Sequence, residues 1–153
     1  MNPGALGAIL HFMELNDPPS PPAPPREQLA AAECLRLLAS VPVGRIVYTR
    51  GALPVVELVN FAIDGGDIVI RTDPGGALAA ATHHTVVAFE ADEVDTATGH
   101  GWSITVVGRS REVTESHGIA RLRDIGLRSL ESGGQEHFIR VTPGIVKGRR
   151  LTG

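Results

Sequence analysis

Residues 55–63 read Val-Val-Glu-Leu-Val-Asn-Phe-Ala-Ile. In an extended chain Val55, Val59, Phe61 and Ile63 point one way. Val56, Leu58 and Ala62 point the other. A lone sheet with one wet face alternates more cleanly than this. Two apolar faces need two covers, so the strand belongs to a closed barrel whose outside is covered by helices or a second subunit. Short links then fix how the strands are paired. Asp64-Gly65-Gly66-Asp67 is a strong hairpin turn. Arg50-Gly51-Ala52 joins the preceding strand. Links this short place neighbours antiparallel.

The spacing predicts strands over Gly44–Thr49, Val55–Ile63, Ile68–Thr72, Val86–Glu93 and Trp102–Val113, and a last strand over Phe138–Val146 broken by Pro143-Gly144. Two helices are expected. Gln28–Ala39 carries Leu29, Cys34, Leu35, Leu37 and Leu38 on its apolar side and stops at Pro42. Ser116–Leu130 has Ser116 as N-cap, a buried side of Ile119, Leu122, Ile125 and Leu130, and an end at Ser132-Gly133-Gly134. The class is mainly β with short flanking helices.

Ahead of these lies a different composition. Residues 17–25 hold six of the eleven prolines. Such a run is stiff, extended and solvated. Residues 1–26 are therefore expected to form a tail, and residues 27–153 one domain of ordinary size. A net charge of −3 gives no basic footprint for nucleic acid. The aromatic share of 4% is too low for base stacking. No apolar run is long enough to span a bilayer. A cytoplasmic protein is expected. The one cysteine, Cys34, excludes an intrachain disulfide and reads as a buried structural thiol.

Chemistry concentrates in three places. Asp67–Thr72 is an apolar strand ending in Arg71 and Thr72, followed by Asp73-Pro74-Gly75-Gly76-Ala77 and an alanine-rich run to Ala81. A helix start presents unpaired amides with positive partial charge, and an Arg fork beside them makes a phosphate seat. The bland alternative is a strand-to-helix turn with a solvated arginine. Gly99-His100-Gly101-Trp102-Ser103 holds the only tryptophan. Its glycines admit a second backbone or a flat ligand. Trp102 shares a face with Ile104 and Val106, so core packing competes with a ligand role. Ser103 faces the other side with Thr105 and Val107. Asn60, a lone amide in an apolar strand, needs either a structural partner or a ligand. His83-His84 lacks the supporting carboxylate a metal would need. Glu90, Asp92, Glu93 and Asp95 read as a solvated acidic strand end. Gly148-Arg149-Arg150 is either a charged tail or reaches back to an anion.

Taken in order, Val43-Gly44-Arg45-Ile46, Val59-Asn60-Phe61, Ile70-Arg71-Thr72, Glu90-Ala91-Asp92-Glu93, Gly101-Trp102-Ser103-Ile104 with Gly108, and Gly148-Arg149-Arg150-Leu151 resemble the pyridoxamine 5'-phosphate oxidase-like, FMN-binding split-barrel family. Its small actinobacterial members are the nearest in pattern. The resemblance covers residues 28–151. It implies a six-stranded antiparallel split barrel, a homodimer with flavins in grooves between subunits, and oxidoreductase chemistry on a small molecule. It also implies cofactor contacts from Val59, Asn60, Arg71, Thr72, Gly76 and Ala77, with Trp102 and Ser103 in the same groove, from either chain. FMN is the implied cofactor and a deazaflavin coenzyme the alternative. A non-catalytic flavin- or ligand-binding protein is the other reading. Two positions depart from the family pattern. Ala77 stands where relatives place a phosphate-binding lysine, and Leu58 where many have proline.

Overall fold

The computed structural model describes residues 27–72, 78–79, 83–128 and 136–153. The strands are β1 (Glu27–Leu29), β2 (Val43–Arg50), β3 (Leu53–Asp64), β4 (Asp67–Thr72), β5 (Val86–Val94), β6 (His100–Glu112) and β7 (His137–Thr152). The helices are α1 (Ala31–Leu38) and α2 (Ser116–Ile125). All strand pairs are antiparallel, in the order β1-β7-β4-β3-β2-β5-β6, and β6 also bonds β7. Strands β2 to β7 thus close a six-membered ring, and β1 pairs with the far half of β7. This is the closed barrel the two-faced strands call for.

Turn chemistry sets the register. Gly65 and Gly66 have φ of 60° and 84°, as a two-residue hairpin needs. The β2–β3 turn uses Gly51 and Ala52 at 55° and 63°. Ala52 carries its Cβ in the left-handed region, which L-residues disfavour. Ala52→Gly is expected to raise stability by about 1 kcal/mol, read from a urea midpoint. An unchanged or lower midpoint would show that the turn holds no strain.

Inside the ring, alternate residues make the core. Ile46, Phe61, Ile70, Phe89, Ile104, Val106 and Ile139 are almost fully buried there. Phe61 and Phe89 meet edge to face at 4.7 Å. Helix α1 closes the barrel with Cys34 and Leu38, both wholly buried. Outside, Val69 and Phe138 of the wall pack against Leu122 of α2 and Val113. A charged clasp ties this side together. Arg140 on β7 reaches Asp64 at 2.7 Å and Asp67 at 3.3 Å, and Arg121 of α2 reaches Asp64 at 2.7 Å.

Several expectations are corrected. The first helix starts at Ala31, because residues 27–29 pair with 148–150 as β1. Glu115 rather than Ser116 occupies the N-cap position of α2, with no side-chain capping hydrogen bond, and the Ser116 backbone is already helical. It ends at Ile125 because Gly126 adopts φ 73°, a left-handed stop. Ile125 is exposed. The proposed end at Ser132-Gly133-Gly134, with Leu130, lies outside the described residues. Pro143-Gly144 does not break the last strand. The register steps from Val107↔Ile145 to Gly108↔Pro143, so a bulge absorbs Gly144 and β7 runs on to Thr152. The proposed tail, residues 1–26, also lies outside the described residues.

Candidate functional site

The outer wall of the barrel is ordered in rows, because directly opposed residues share a face. One row is apolar: Val56, Val47, Ala88, Val107 and Ile145, from β3 through β2, β5 and β6 to β7. Val56 is 63% exposed and Ile145 54%. The next row is Leu58, Arg45, Glu90, Thr105 and Lys147. The third holds Asn60 opposite Val43, then Asp92 opposite Ser103 opposite Arg149. Continuing the β2–β5 and β3–β4 registers by single steps aligns Val43 with Asp92 and Asn60 with Arg71. Polar groups therefore fill most of the second row and form the line of the third, beside one apolar row.

Arg71 stands at one end of that line. Its Nη1 donates to the Leu127 carbonyl at 3.3 Å, and its Nη2 lies 4.0 Å from Glu136. Glu136 also binds Arg123. The Nε of Arg71 is buried and has no hydrogen-bond partner among the described residues. A buried guanidinium N–H without an acceptor is costly, so this atom fits an incoming oxyanion. Leu78 and Ala79, beyond it, are helical. Gly76 and Ala77 lie outside the described residues.

The other sequence candidates divide by face. Asn60 and Ser103 are half-buried and point outward. Val59, Thr72 and Trp102 point into the barrel and are buried, at 6%, 7% and 5% exposure. The indole belongs to the core cluster. The glycine beside it serves backbone approach, since a Cβ on Gly101 would come within 2.0 Å of the Glu93 carbonyl oxygen. One chain does not gather Arg71 and Ser103. Along the row, through β3, β2 and β5, four inter-strand steps separate them, roughly 19 Å around the wall; by way of β7 their partners Phe138 and Arg149 lie far apart along the strand.

Two groups are only partly legible in the sequence. Glu90 is not a solvated strand end. Arg45 lies 3.2 Å from its carboxylate and 3.6 Å from that of Asp92. Burial, then the neighbouring Asp92, pushes the Glu90 carboxyl above its usual range, and Arg45 opposes them. The i, i+2 spacing of Glu90 and Asp92 on one face was the available signal. The second group is Lys147 and Arg149, which share the outer face of β7 with a cleft beside them. Arg150 points the other way and pairs with Glu33 at 2.8 Å. Among the described residues, no helix is long and apolar enough to cross a membrane.

A closed six-strand ring with one plugging helix and an outer polar row defines a split-barrel protein. The chain belongs to the pyridoxamine 5'-phosphate oxidase family, whose profile matches residues 30–150. It is 34% identical over 129 residues to an uncharacterised protein of Mycobacterium tuberculosis strain H37Rv, covering 81% of this chain and 84% of that one. An FAD-binding protein from Mycobacterium smegmatis superposes with a TM-score of 0.74 at 33% identity, covering 83% of this chain and 99% of its own. An FAD-binding protein from Mesorhizobium loti, at 21% identity and a TM-score of 0.68, shares the fold over 84% of this chain and 98% of its own.

Proposed function

We propose that this chain is a flavin-binding oxidoreductase that works as a homodimer, with FMN as its cofactor. The observation that carries the reading is the buried, unpartnered Nε of Arg71 at the end of the polar outer row. Arg71 would hold the phosphate. Asn60, one strand over, would offer its amide to the polar edge of the ring. Once bound, the flavin supplies the redox chemistry and the protein supplies binding and orientation. The similarity to an FAD-binding protein supports a flavin. FMN, FAD and deazaflavin coenzymes all carry a phosphate next to the ribityl-type chain, so the seat serves each of them. One buried thiol and no disulfide suit a cytoplasmic setting.

The experiment is a titration of the purified chain with FMN, FAD, a deazaflavin coenzyme and riboflavin, followed by absorbance. Arg71→Ala is expected to weaken FMN binding by about 2 kcal/mol, roughly thirtyfold. Riboflavin, which lacks the phosphate, should change little. Equal FMN affinity for both proteins would remove the seat.

The dimer rests on the apolar row and on Leu58, 52% exposed, just beside it. Continuous exposed apolar surface on a sheet face marks an interaction site. A second copy also answers the separation of Arg71 from Ser103, by bringing the partner subunit's Ser103 to this chain's flavin. Val56→Asp is expected to convert the dimer to monomer at micromolar concentration in light scattering, and to lower flavin affinity with it. Val56 is largely solvent-facing in the single chain, so the thermal midpoint of the monomer should hold. A wild-type chain that scatters as a monomer would defeat the dimer and the shared groove together.

A further inference from the structure

We infer that Glu136 is an exchangeable internal counter-ion in the Arg71 seat, and that Arg123 of α2 is the seat's second cation. An incoming phosphate takes both arginines over from the Glu136 carboxylate. The inference rests on the reading of Arg71 as a phosphate anchor, and it adds the residues that set how tightly that anchor binds.

Arg71 opposes Phe138 in the β4–β7 ladder, and Glu136 lies two residues before Phe138, just ahead of β7. Such a diagonal is within reach of long side chains. Arg123 lies in the last turn of α2, where Leu122 packs the helix on Val69 and Phe138 of the wall. The two oxygens of Glu136 are divided between the arginines. Oε2 accepts from the Arg123 Nε, and Oε1 faces the Arg71 Nη2 at 4.0 Å. The second contact is too long for a hydrogen bond. Arg71 Nη1 is occupied by the Leu127 carbonyl at 3.3 Å, which fixes the guanidinium plane. In a guanidinium, Nε–H and one Nη2–H point the same way and form a fork for two oxygens of one oxyanion. Among the described residues that fork is open in Arg71. Its Nε is buried without a partner, and its Nη2 has the distant carboxylate.

Charge gives the cluster its purpose. Along the chain the next Lys or Arg after Arg71 is Arg109, so a second cation for the seat comes from another element. Arg123 is the one that shares a carboxylate with Arg71. Its side chain is 59% exposed, which leaves it room to turn from Glu136 to a ligand. In the empty seat Glu136 holds together two guanidinium groups that otherwise repel. A phosphate monoester carries about −1.5 to −2 at neutral pH and three acceptor oxygens, against one charge and two oxygens for a carboxylate. It answers both arginines at once, so the exchange favours the phosphate, and displacing Glu136 costs part of the affinity.

The alternative is a plain staple between α2 and the start of β7, and the two arrangements differ in sign. A staple is broken from either side, so Glu136→Gln and Arg123→Gln would change FMN affinity in the same direction. An exchangeable counter-ion predicts opposite directions. Titrating the full chain, followed by absorbance, Glu136→Gln should bind FMN about tenfold more tightly and Arg123→Gln about tenfold more weakly. Riboflavin should be unmoved by either. Glutamine keeps the shape of glutamate and Arg123 is largely exposed, so both variants should keep the wild-type urea midpoint closely. A second measurement needs no flavin. In the isotope-labelled, cofactor-free chain, inorganic phosphate should shift the Nε–H resonances of both Arg71 and Arg123, at lower concentration in Glu136→Gln. Affinity changes of the same sign, an equal gain for riboflavin, or an Arg123 Nε–H signal that ignores phosphate would each overturn the inference. Arg71→Ala separates it from the reading beneath it. If that variant keeps its FMN affinity, the seat itself falls and the exchange with it. If it loses affinity while Glu136→Gln gains none, the seat stands and the exchange alone falls.

Discussion

Arg140→Ala should lower the free energy of unfolding by about 3 kcal/mol at pH 7, the scale for removing one partner of a largely buried ion pair. The Arg140 and Asp64 side chains are 13% and 12% exposed. The arginine spans both ends of the β3–β4 hairpin, binding Asp64 and Asp67, and also donates to the Asp64 carbonyl at 3.1 Å. Without it two carboxylates stay in the wall next to each other, with only Arg121 to answer Asp64. The pH dependence gives an independent check. Hydrogen bonding from Arg140 is the main reason the Asp64 carboxyl is held below its usual range, against its own burial. A depressed folded value means the wild-type clasp is fully stabilising above the ordinary aspartate range. That stability is lost as pH falls through the folded value. Arg140→Ala should flatten this acid dependence while lowering stability at neutral pH. Urea titrations at pH 7 and in the acid range measure both. A loss under 1 kcal/mol at pH 7, or an unaltered acid slope, would show that the clasp does not stabilise the fold.

Glu90 should act in the opposite sense. Its folded value is raised, so its charged form is penalised in the barrel wall. Protonation on acidification therefore favours the folded chain at this position. The two carboxylates differ because Asp64 is answered by two arginines, whereas Glu90 shares Arg45 with Asp92.

What the sequence reveals depends on how local its cause is. The inward set Val55, Val59, Phe61 and Ile63 follows from period-two alternation alone, and the glycine hairpin follows from two adjacent residues. Ring closure is readable because surface apolar on both faces has few folded solutions. The continuation of β7 past Pro143 is not readable. It depends on a bulge opposite Gly108, where a Cβ would lie 2.1 Å from the Thr142 carbonyl oxygen. Strand β1 is hidden for the same reason: Gln28 and Leu29 suit a helix locally, and only the far end of β7 makes them a strand. Within the candidate site, Arg71 stands out because it ends an apolar strand. Glu90 reads as solvated because its partner Arg45 is 45 residues away. The sequence offers Arg149 as a tail residue or an anion contact, but the cleft beside it is not readable because its other walls come from β1 and β6.

The Gly-Arg-Arg-Leu segment also encodes packing, and its glycine yields the other large effect. Gly148→Val should destabilise the chain by about 3 kcal/mol, at the upper end of the usual cost of overpacking a core. A Cβ at position 148 would lie 2.3 Å from the Cys34 Sγ, 3.2 Å from Ile104 and 3.3 Å from Leu29. Helix α1 can seal the barrel only because β7 has no side chain where the thiol rests. Cys34 has nowhere to retreat: it is wholly buried, and burial is the main cause of its raised thiol value. The clash predicts its own suppressor. Cys34→Ala alone should cost about 1 kcal/mol by leaving a small void, but in the Gly148→Ala background it should recover part of the loss. A double-mutant cycle by urea unfolding would therefore show a favourable coupling of roughly 1 kcal/mol or more. Additive losses would mean that α1 shifts as a body when position 148 grows.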